Sequence, residues 1–395
     1  MNTKSTLQIF KDFINSSSFG GILLILCVGI SLLLANSSFT DLFDQLLAAK
    51  IGPSGQVIHL NYSVQSWIND GLMTIFFLLV GLEIKRELTG GELSSFKRAL
   101  LPILAATGGA LLPAIIYSII NHGSETQSGW GIPMATDIAF ALAVVVSLGN
   151  RIPVSIKIFL AALAIVDDLL AILVVAFFYT SEIHLAYLGG GLAVFALLVL
   201  ANRLGLRNVW IYLGSGLLMW YLIHHSGIHA TIAGVLTAIV IPANSSKEKS
   251  PLEQIESLLV KPVNLVIVPL FALSNTNITL NQNIGIILSS PLGLGISLGL
   301  LIGKSVGIFG TCLAVVKSGL STLPPNTTWR QMFGASILGG IGFTMSIFIS
   351  NLSFSNADYI DIAKIAVLVT SMVAAIAGYV YLYFSATLSS STIKQ

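Results

Sequence analysis

The sequence predicts an all-α polytopic membrane protein. Twelve transmembrane helices are expected, with inverted repeats, two broken crossing helices and a short exterior β-hairpin. Three observations predict this. Of 395 residues, 55% are hydrophobic and only 9% charged, where a soluble domain carries about 25% charged residues. Twelve apolar runs approach the roughly 20 residues that cross a hydrocarbon core. The basic residues then sort by side. With the N-terminus in the cytoplasm, sixteen of the 19 basic residues face that compartment, as the positive-inside rule requires. Lys50 and Lys364 fall outside, and Lys304 falls within a span. Dropping one span would scramble this alternation, so both termini are expected in the cytoplasm.

The runs lie at about 18–36, 63–85, 99–121, 130–149, 155–179, 184–201, 208–223, 227–242, 254–274, 291–316, 329–351 and 360–385. The first follows Lys4 and Lys11 and resembles a signal-peptide core. No small-x-small cleavage site follows it, so a retained first helix is expected. The seventh and eighth runs are short and divided only by "HHSG", His224 to Gly227. Most loops are short, which makes 1–395 a single integral membrane domain. The longest exterior segment contains the turn signal "GPSG", Gly52 to Gly55. After it, Ile58, Leu60, Tyr62 and Val64 alternate with His59, Asn61, Ser63 and Gln65. That period of two predicts a hairpin over about 45–65, whose open edges make it a candidate homodimer contact. A surface ornament is the other reading of the same segment.

A net charge of +2 gives no reason to expect a nucleic-acid partner; membrane lipid is the expected surrounding. Cys27 and Cys312 both lie in apolar runs and are expected as buried thiols. With no C-x-x-C and no zinc-spaced His/Cys cluster in the sequence, no cofactor is expected.

Charges inside the spans carry the chemistry. Asp137, Asp167 and Asp168 are intramembrane acids, and Lys304 is the one intramembrane base; Asp70 and Glu83 lie within or near the ends of the second span. A central Asp costs roughly 2.5–3.5 kcal/mol of insertion energy, while each Leu, Ile, Phe or Val gains about 0.3–0.6. Fourteen such apolar residues between Ile158 and Phe178 contribute about 4–8 kcal/mol, and the two aspartates cost about 5–7. The acid pair cancels most of that gain, so an ion pathway is the default reading. Pairing alone explains one acid opposite Lys304, not three. Two adjoining buried carboxylates do not ionise together easily. They hold a proton or release it to a small hard cation such as Na⁺, which takes oxygen ligands. Competition at one site, open to each side in turn, suffices for exchange. Neighbouring residues on a helix project about 100° apart, so one aspartate can face the ion while the other faces Lys304.

Two spans are interrupted. "GIPMATDIAFAL" (Gly131–Leu142) carries Pro133 and the Thr136–Asp137 pair. "LGGIGFTMSIF" (Leu338–Phe348) carries Gly339, Gly340 and Gly342. Such breaks are tolerated where backbone lines a protein cavity. They fall second in spans 3–5 (99–179) and second in spans 10–12 (291–385), which points to inverted repeats with a site at the crossing. Facing half-helix ends carry partial charges, which Asp137 and Lys304 are placed to offset. "GKSVG" (Gly303–Gly307) predicts close helix packing.

Other classes fit less well. An intramembrane aspartyl protease needs an acid in a G-x-G-D setting, which "GIGF" lacks. A prenyl-transferring enzyme needs the second spaced acid of D-D-x-x-D, which "DDLLA" lacks. An exchanger of potassium or an organic cation fits the acids alone.

Together, "ATDIAFAL", "IKIFLAALAIVDDLLAI", "SGIHATIAGV", "LLIGKSVGI", "GGIGFTMSIFI" and "FFLLVGLEIKREL" resemble the NhaA-type bacterial sodium/proton antiporters over nearly the whole chain. The resemblance implies a transporter rather than an enzyme, in the bacterial inner membrane, with twelve helices and both termini cytoplasmic. It implies exchange of two protons for one Na⁺ or Li⁺ by alternating access, electrogenic and activated as cytoplasmic pH rises, in a homodimer joined by the exterior hairpin. On matching positions, Asp168 is the principal sodium and proton carrier. Asp167 is its partner, exchanging protons or pairing with Lys304. Thr136 and Asp137 line the crossing, and Asp137 assists binding. Glu83, Arg86, Glu87 and Glu256 form a pH-sensing cluster, and His229 tunes the pH response. The sequence departs from the family pattern in two places. "EQIESLLVKP" has Ser257 and Lys261 where histidines are usual near Glu256, and "DDLLA" replaces "DDLGA".

Overall fold

Helices follow the apolar runs closely, because a bilayer leaves helical hydrogen bonding as the only way a lone apolar segment can satisfy its backbone. The structure is a computed structural model that describes residues 17–55, 60–180, 183–243, 250–279 and 283–392. Ile58 and His59 of the hairpin, and Lys4, Lys11, Lys247, Lys249 and Lys394, lie outside the described residues.

The helices are α1 (Ser17–Ala35), α2 (Thr40–Ala48), α3 (Val64–Gly90), α4 (Phe96–Ile120), α5 (Ile138–Ser147), α6 (Val154–Phe178), α7 (Leu185–Arg203), α8 (Val209–His224), α9 (Thr231–Val240), α10 (Pro251–Asn275), α11 (Ile284–Ser289), α12 (Pro291–Lys317), α13 (Trp329–Leu338), α14 (Phe343–Ser353) and α15 (Ala357–Thr392). A 3₁₀ segment, Gln127–Met134, leads into α5. Among the described residues, eight spans are long and apolar enough to cross a membrane, or up to ten if each of two bent pairs counts as one. The bent pairs are α1 with α2, at 113°, and α13 with α14, at 42°. The seventh and eighth expected spans are the shorter apolar helices α8 and α9.

The hairpin is a two-stranded antiparallel sheet, β1 (Lys50–Ile51) with β2 (Tyr62–Ser63), in register Lys50 opposite Ser63 and Ile51 opposite Tyr62. The expected alternation stops at Ser63. That side chain accepts from the Ser66 N–H at 3.1 Å and caps α3, so Val64 opens a helix instead of extending a strand. Elsewhere, Ser250 with Glu253 and Thr328 with Gln331 form reciprocal capping boxes at α10 and α13. Cys312 is buried as expected, but Cys27 is only half-buried; both are free thiols.

The chain divides into two compact units. One comprises the described residues of Met1–Leu26, Ser95–Ala171 and Leu280–Gln395. It holds most of both three-span blocks. α12 packs here with almost no side-chain spacer. A Cβ on Gly303 would lie 2.8 Å from Pro113 Cα of α4, and one on Gly307 would lie 2.3 Å from the Gly108 carbonyl oxygen. The other unit comprises Cys27–Ser94 and the described residues of Ile172–Thr279. Its core gathers Leu78 and Leu82 of α3, Leu198 of α7, Tyr212 of α8, Ala238 of α9 and Ile255 of α10.

Candidate functional site

The first unit brings the intramembrane charges into one buried group. Lys304 is 0% exposed, Asp167 and Asp168 are 1%, Asp137 is 2% and Thr136 is 0%. Lys304 ends a π-helical turn of α12, Gly299–Lys304, a distortion that is frequent at functional sites. Its ammonium forms a hydrogen-bonded ion pair with Asp167 Oδ2 and also interacts electrostatically with Asp168. The division of labour expected along α6 therefore has a geometric counterpart, with Asp167 as the residue that holds Lys304.

The two interrupted segments cross at their breaks. Thr136 donates from Oγ1 to the Gly339 carbonyl at 2.8 Å, and the Asp137 N–H donates to the Ile341 carbonyl at 2.7 Å. Ser346 donates from Oγ to the Ile132 carbonyl at 2.6 Å. The bonds to Gly339 and Ile341 satisfy backbone carbonyls that the break leaves outside a helix ladder. Gly340 is required by the close approach of α12, since a Cβ there would stand 2.5 Å from the Leu300 carbonyl oxygen.

Asp137 caps two helices at once. Its Oδ1 accepts from the Phe140 N–H at 2.9 Å, at the start of its own helix α5. Its Oδ2 accepts from the Thr344 N–H at 3.1 Å and from the Thr344 hydroxyl, at the start of α14. Two helix N-termini, each equivalent to about half a positive charge, thus converge on one carboxylate. This is the offset expected for Asp137. The hydrogen-bond partner of Lys304 is the Asp167 carboxylate. The Thr136 hydroxyl and N–H also lie against Asp167, which joins the crossing to the acid pair.

The charge tally has a chemical consequence. The helix ends offset Asp137, and Lys304 offsets one carboxylate. With all acids ionised, the group as a whole keeps one negative charge in excess. A buried excess charge is expensive, and a proton or a small cation at the group would offset it.

The second unit assembles the other expected cluster. Arg86 of α3 hydrogen-bonds Glu256 of α10 and pairs with Glu87 at 3.2 Å. Glu83, one turn earlier on α3, interacts electrostatically with Glu256, Arg86 and Glu87. Glu256 is 6% exposed. His229 stands apart from these bonds: it lies in the turn before α9, and its Nε2 is 2.7 Å from the Tyr179 carbonyl oxygen. His224 stacks on Trp220 and meets Tyr62 of the hairpin edge-on, with ring centroids 5.6 and 4.9 Å apart.

Sequence reasoning missed Thr344, Ser346 and Lys85. The first two stand in "GGIGFTMSIF", where a hydroxyl every two residues after a glycine break was the available signal. Lys85, one of the basic residues expected to face the cytoplasm, also donates to the Ile239 carbonyl at 2.6 Å and to the Ile241 carbonyl.

Paired carboxylates and a lysine, buried where two interrupted helices cross in a polytopic helical membrane protein, define an ion-translocating protein of the membrane. The chain belongs to the Na⁺/H⁺ antiporter 1 family, whose family model matches residues 11–382. It is 53% identical over 377 residues to "Na(+)/H(+) antiporter NhaA 2" of Flavobacterium johnsoniae, covering 95% of this chain and 92% of that protein. It is 49% identical over 381 residues to "Na(+)/H(+) antiporter NhaA" of Dechloromonas aromatica, covering 95% and 96%. It is 47% identical over 371 residues to "Na(+)/H(+) antiporter NhaA" of Flavobacterium psychrophilum, covering 94% of each.

Proposed function

We propose that this antiporter moves Na⁺ or Li⁺ out of the cytoplasm against two entering protons, by alternating access at the buried acid group. The observation that carries the reading is the group of Asp167, Asp168 and Lys304, essentially unexposed and one negative charge in excess. Asp168 carries the cation or a proton in turn. Asp167 exchanges a proton or holds Lys304. Thr136 and Asp137 keep the crossing closed around the site, with Asp137 assisting binding. Two protons in for one sodium ion out moves one net positive charge inward per cycle, so the membrane potential as well as the proton gradient drives it.

Eight long spans, two bent pairs and two shorter apolar helices support twelve crossings with both termini cytoplasmic in the bacterial inner membrane. The meeting of Thr136 and Asp137 with Gly339–Thr344 supports inverted repeats over 99–179 and 291–385. The Arg86–Glu256–Glu87 bonds with Glu83 beside them support a pH-activating cluster, which His229 tunes from its place before α9. The exterior hairpin joins two copies in a homodimer.

The test uses everted vesicles with an acidified interior. Na⁺ or Li⁺ added outside dissipates the pH gradient, and Asp168→Asn abolishes that response. Full sodium response in the variant overturns the assignment of Asp168. Response of the wild type to K⁺ alone replaces the sodium reading with a potassium exchanger.

A further inference from the structure

α3 and α9 meet almost backbone to backbone. A Cβ on Gly81 would lie 2.6 Å from Ala238 Cβ, and one on Gly234 would lie 2.3 Å from the Thr74 carbonyl oxygen. Thr74, Leu78, Gly81 and Lys85 are spaced four, three and four residues apart, which is one stripe of a helix. The last rung of that stripe is polar. Lys85 is half-buried, and its ammonium donates to the Ile239 and Ile241 carbonyls. These belong to the set a helix end leaves without intrahelical donors. The carbonyl between them, Val240, takes the side-chain amide of Asn202 on α7 at 2.6 Å. A cation is well matched to the partial negative charge of a helix C-terminus.

The next residue along, Arg86, holds Glu256 on α10. Consecutive residues of α3 therefore grip the end of α9 and the first half of α10, on the two sides of one connection.

We propose that Lys85 is a positioning residue: its ammonium clamps α3 to the C-terminal carbonyls of α9 and so couples the Arg86–Glu256 cluster to the position of α9. This rests on the reading above that the cluster sets the pH response. The charged groups on the elements packed around this end are Glu83, Arg86 and Glu87 of α3, Glu253, Glu256 and Lys261 of α10, and Arg203 at the end of α7. α9 itself carries no titratable side chain, so charge reaches it only through such contacts. With the clamp closed, the cluster cannot rearrange without displacing the end of α9. With the clamp removed it rearranges more readily, and activation begins at lower pH. A charge-assisted hydrogen bond is worth about tenfold or more in an equilibrium constant, which for a one-proton step is about one pH unit.

The test measures sodium-driven proton release in everted vesicles across a pH series, with melting of the purified protein in detergent as the measure of folding. Lys85→Met is expected to move the activation midpoint down by about one pH unit, and Lys85→Arg to restore it. Gly81→Ala, which wedges the same seam from α3, is expected to move it in the same direction. Asn202→Ala removes a bond to the same helix end from α7; it is expected to lower the melting temperature and leave the midpoint in place. A folded Lys85→Met protein with the wild-type midpoint overturns the inference. So does Lys85→Arg displaced as far as Lys85→Met, or Asn202→Ala matching their shift. If Lys85→Met does not fold, Gly81→Ala with an unmoved midpoint overturns it. A wild type that exchanges sodium equally across the series refutes the regulatory cluster and this inference together. A wild type that exchanges no sodium refutes the transport reading instead.

Discussion

Lys304 shows how one residue serves both stability and chemistry. Its side chain is fully buried against the Asp167 carboxylate, so neither charge has water to fall back on. A buried ion pair adds little net stability, but breaking it by removing one partner costs about 3–5 kcal/mol, because the other charge is stranded. Lys304→Ala is therefore expected to unfold more easily by about that amount and to lose transport. Detergent unfolding followed by intrinsic fluorescence checks the first effect and vesicle exchange the second. Unaltered unfolding with lost transport would remove the structural half of the role. The three buried acids and the base were legible in the sequence because each interrupts an apolar run at a steep insertion cost. Which acid answers Lys304 followed only from the family resemblance, because neighbours about 100° apart on α6 leave either one free to take that place. Thr344 was not legible. It reaches Asp137 across 207 positions of sequence, and a threonine costs so little in a membrane helix that nothing flags it.

At the scale of elements, the seam between α4 and α12 sets where Lys304 can stand. Gly303 and Gly307 bracket it, and the Cβ that Gly307 lacks would stand 2.3 Å from a backbone oxygen, that of Gly108. A flexible side-chain tip could yield at that distance, but a helix backbone cannot. Gly307→Ala is expected to push α12 off α4, to cost about 1–3 kcal/mol of stability and to weaken apparent sodium affinity by displacing Lys304 one turn away. Sodium titration of exchange together with thermal unfolding checks both; wild-type values for the two would sink the argument. The seam was legible as "GKSVG", and the breaks were legible as proline, glycine and polar interruptions, because these residues change backbone chemistry directly. The π-helical turns at Trp67–Leu72, Val263–Ile267 and Gly299–Lys304 were not. Each is one extra residue in a helix whose side chains remain ordinary, and only tertiary contact selects it. The far end of the hairpin, expected to run to about residue 65, stops at Ser63 for a related reason. The alternation through Val64 suits a strand, but the capping bond of Ser63 decides for a helix.

At the scale of the whole molecule, hydropathy and charge alternation predict how the chain threads the membrane, and the hairpin is the feature proposed to meet a second copy. Its strands are only two residues each, and an isolated pair that short is marginal in water. Here it is tied down. The Trp67 indole donates to the Ile51 carbonyl at 2.9 Å, and the Val64 N–H donates to the Ala49 carbonyl at 2.9 Å. Beside the strands, Gly52 has φ 125° and the Leu60 N–H donates to the Pro53 carbonyl at 3.0 Å. Ile51 is 59% exposed. A fixed strand with an open edge and an exposed apolar side chain suits pairing with an identical partner more than solvation alone. Deleting Gly52–Gly55 removes the turn that sets the register of the pair and leaves the buried acid group of the first unit untouched. The deletion is expected to shift the purified protein from dimer to monomer by light scattering in detergent, while sodium-dependent exchange in vesicles persists. A deletion variant that keeps the full dimer mass would rule the hairpin out as the contact and leave it a surface ornament.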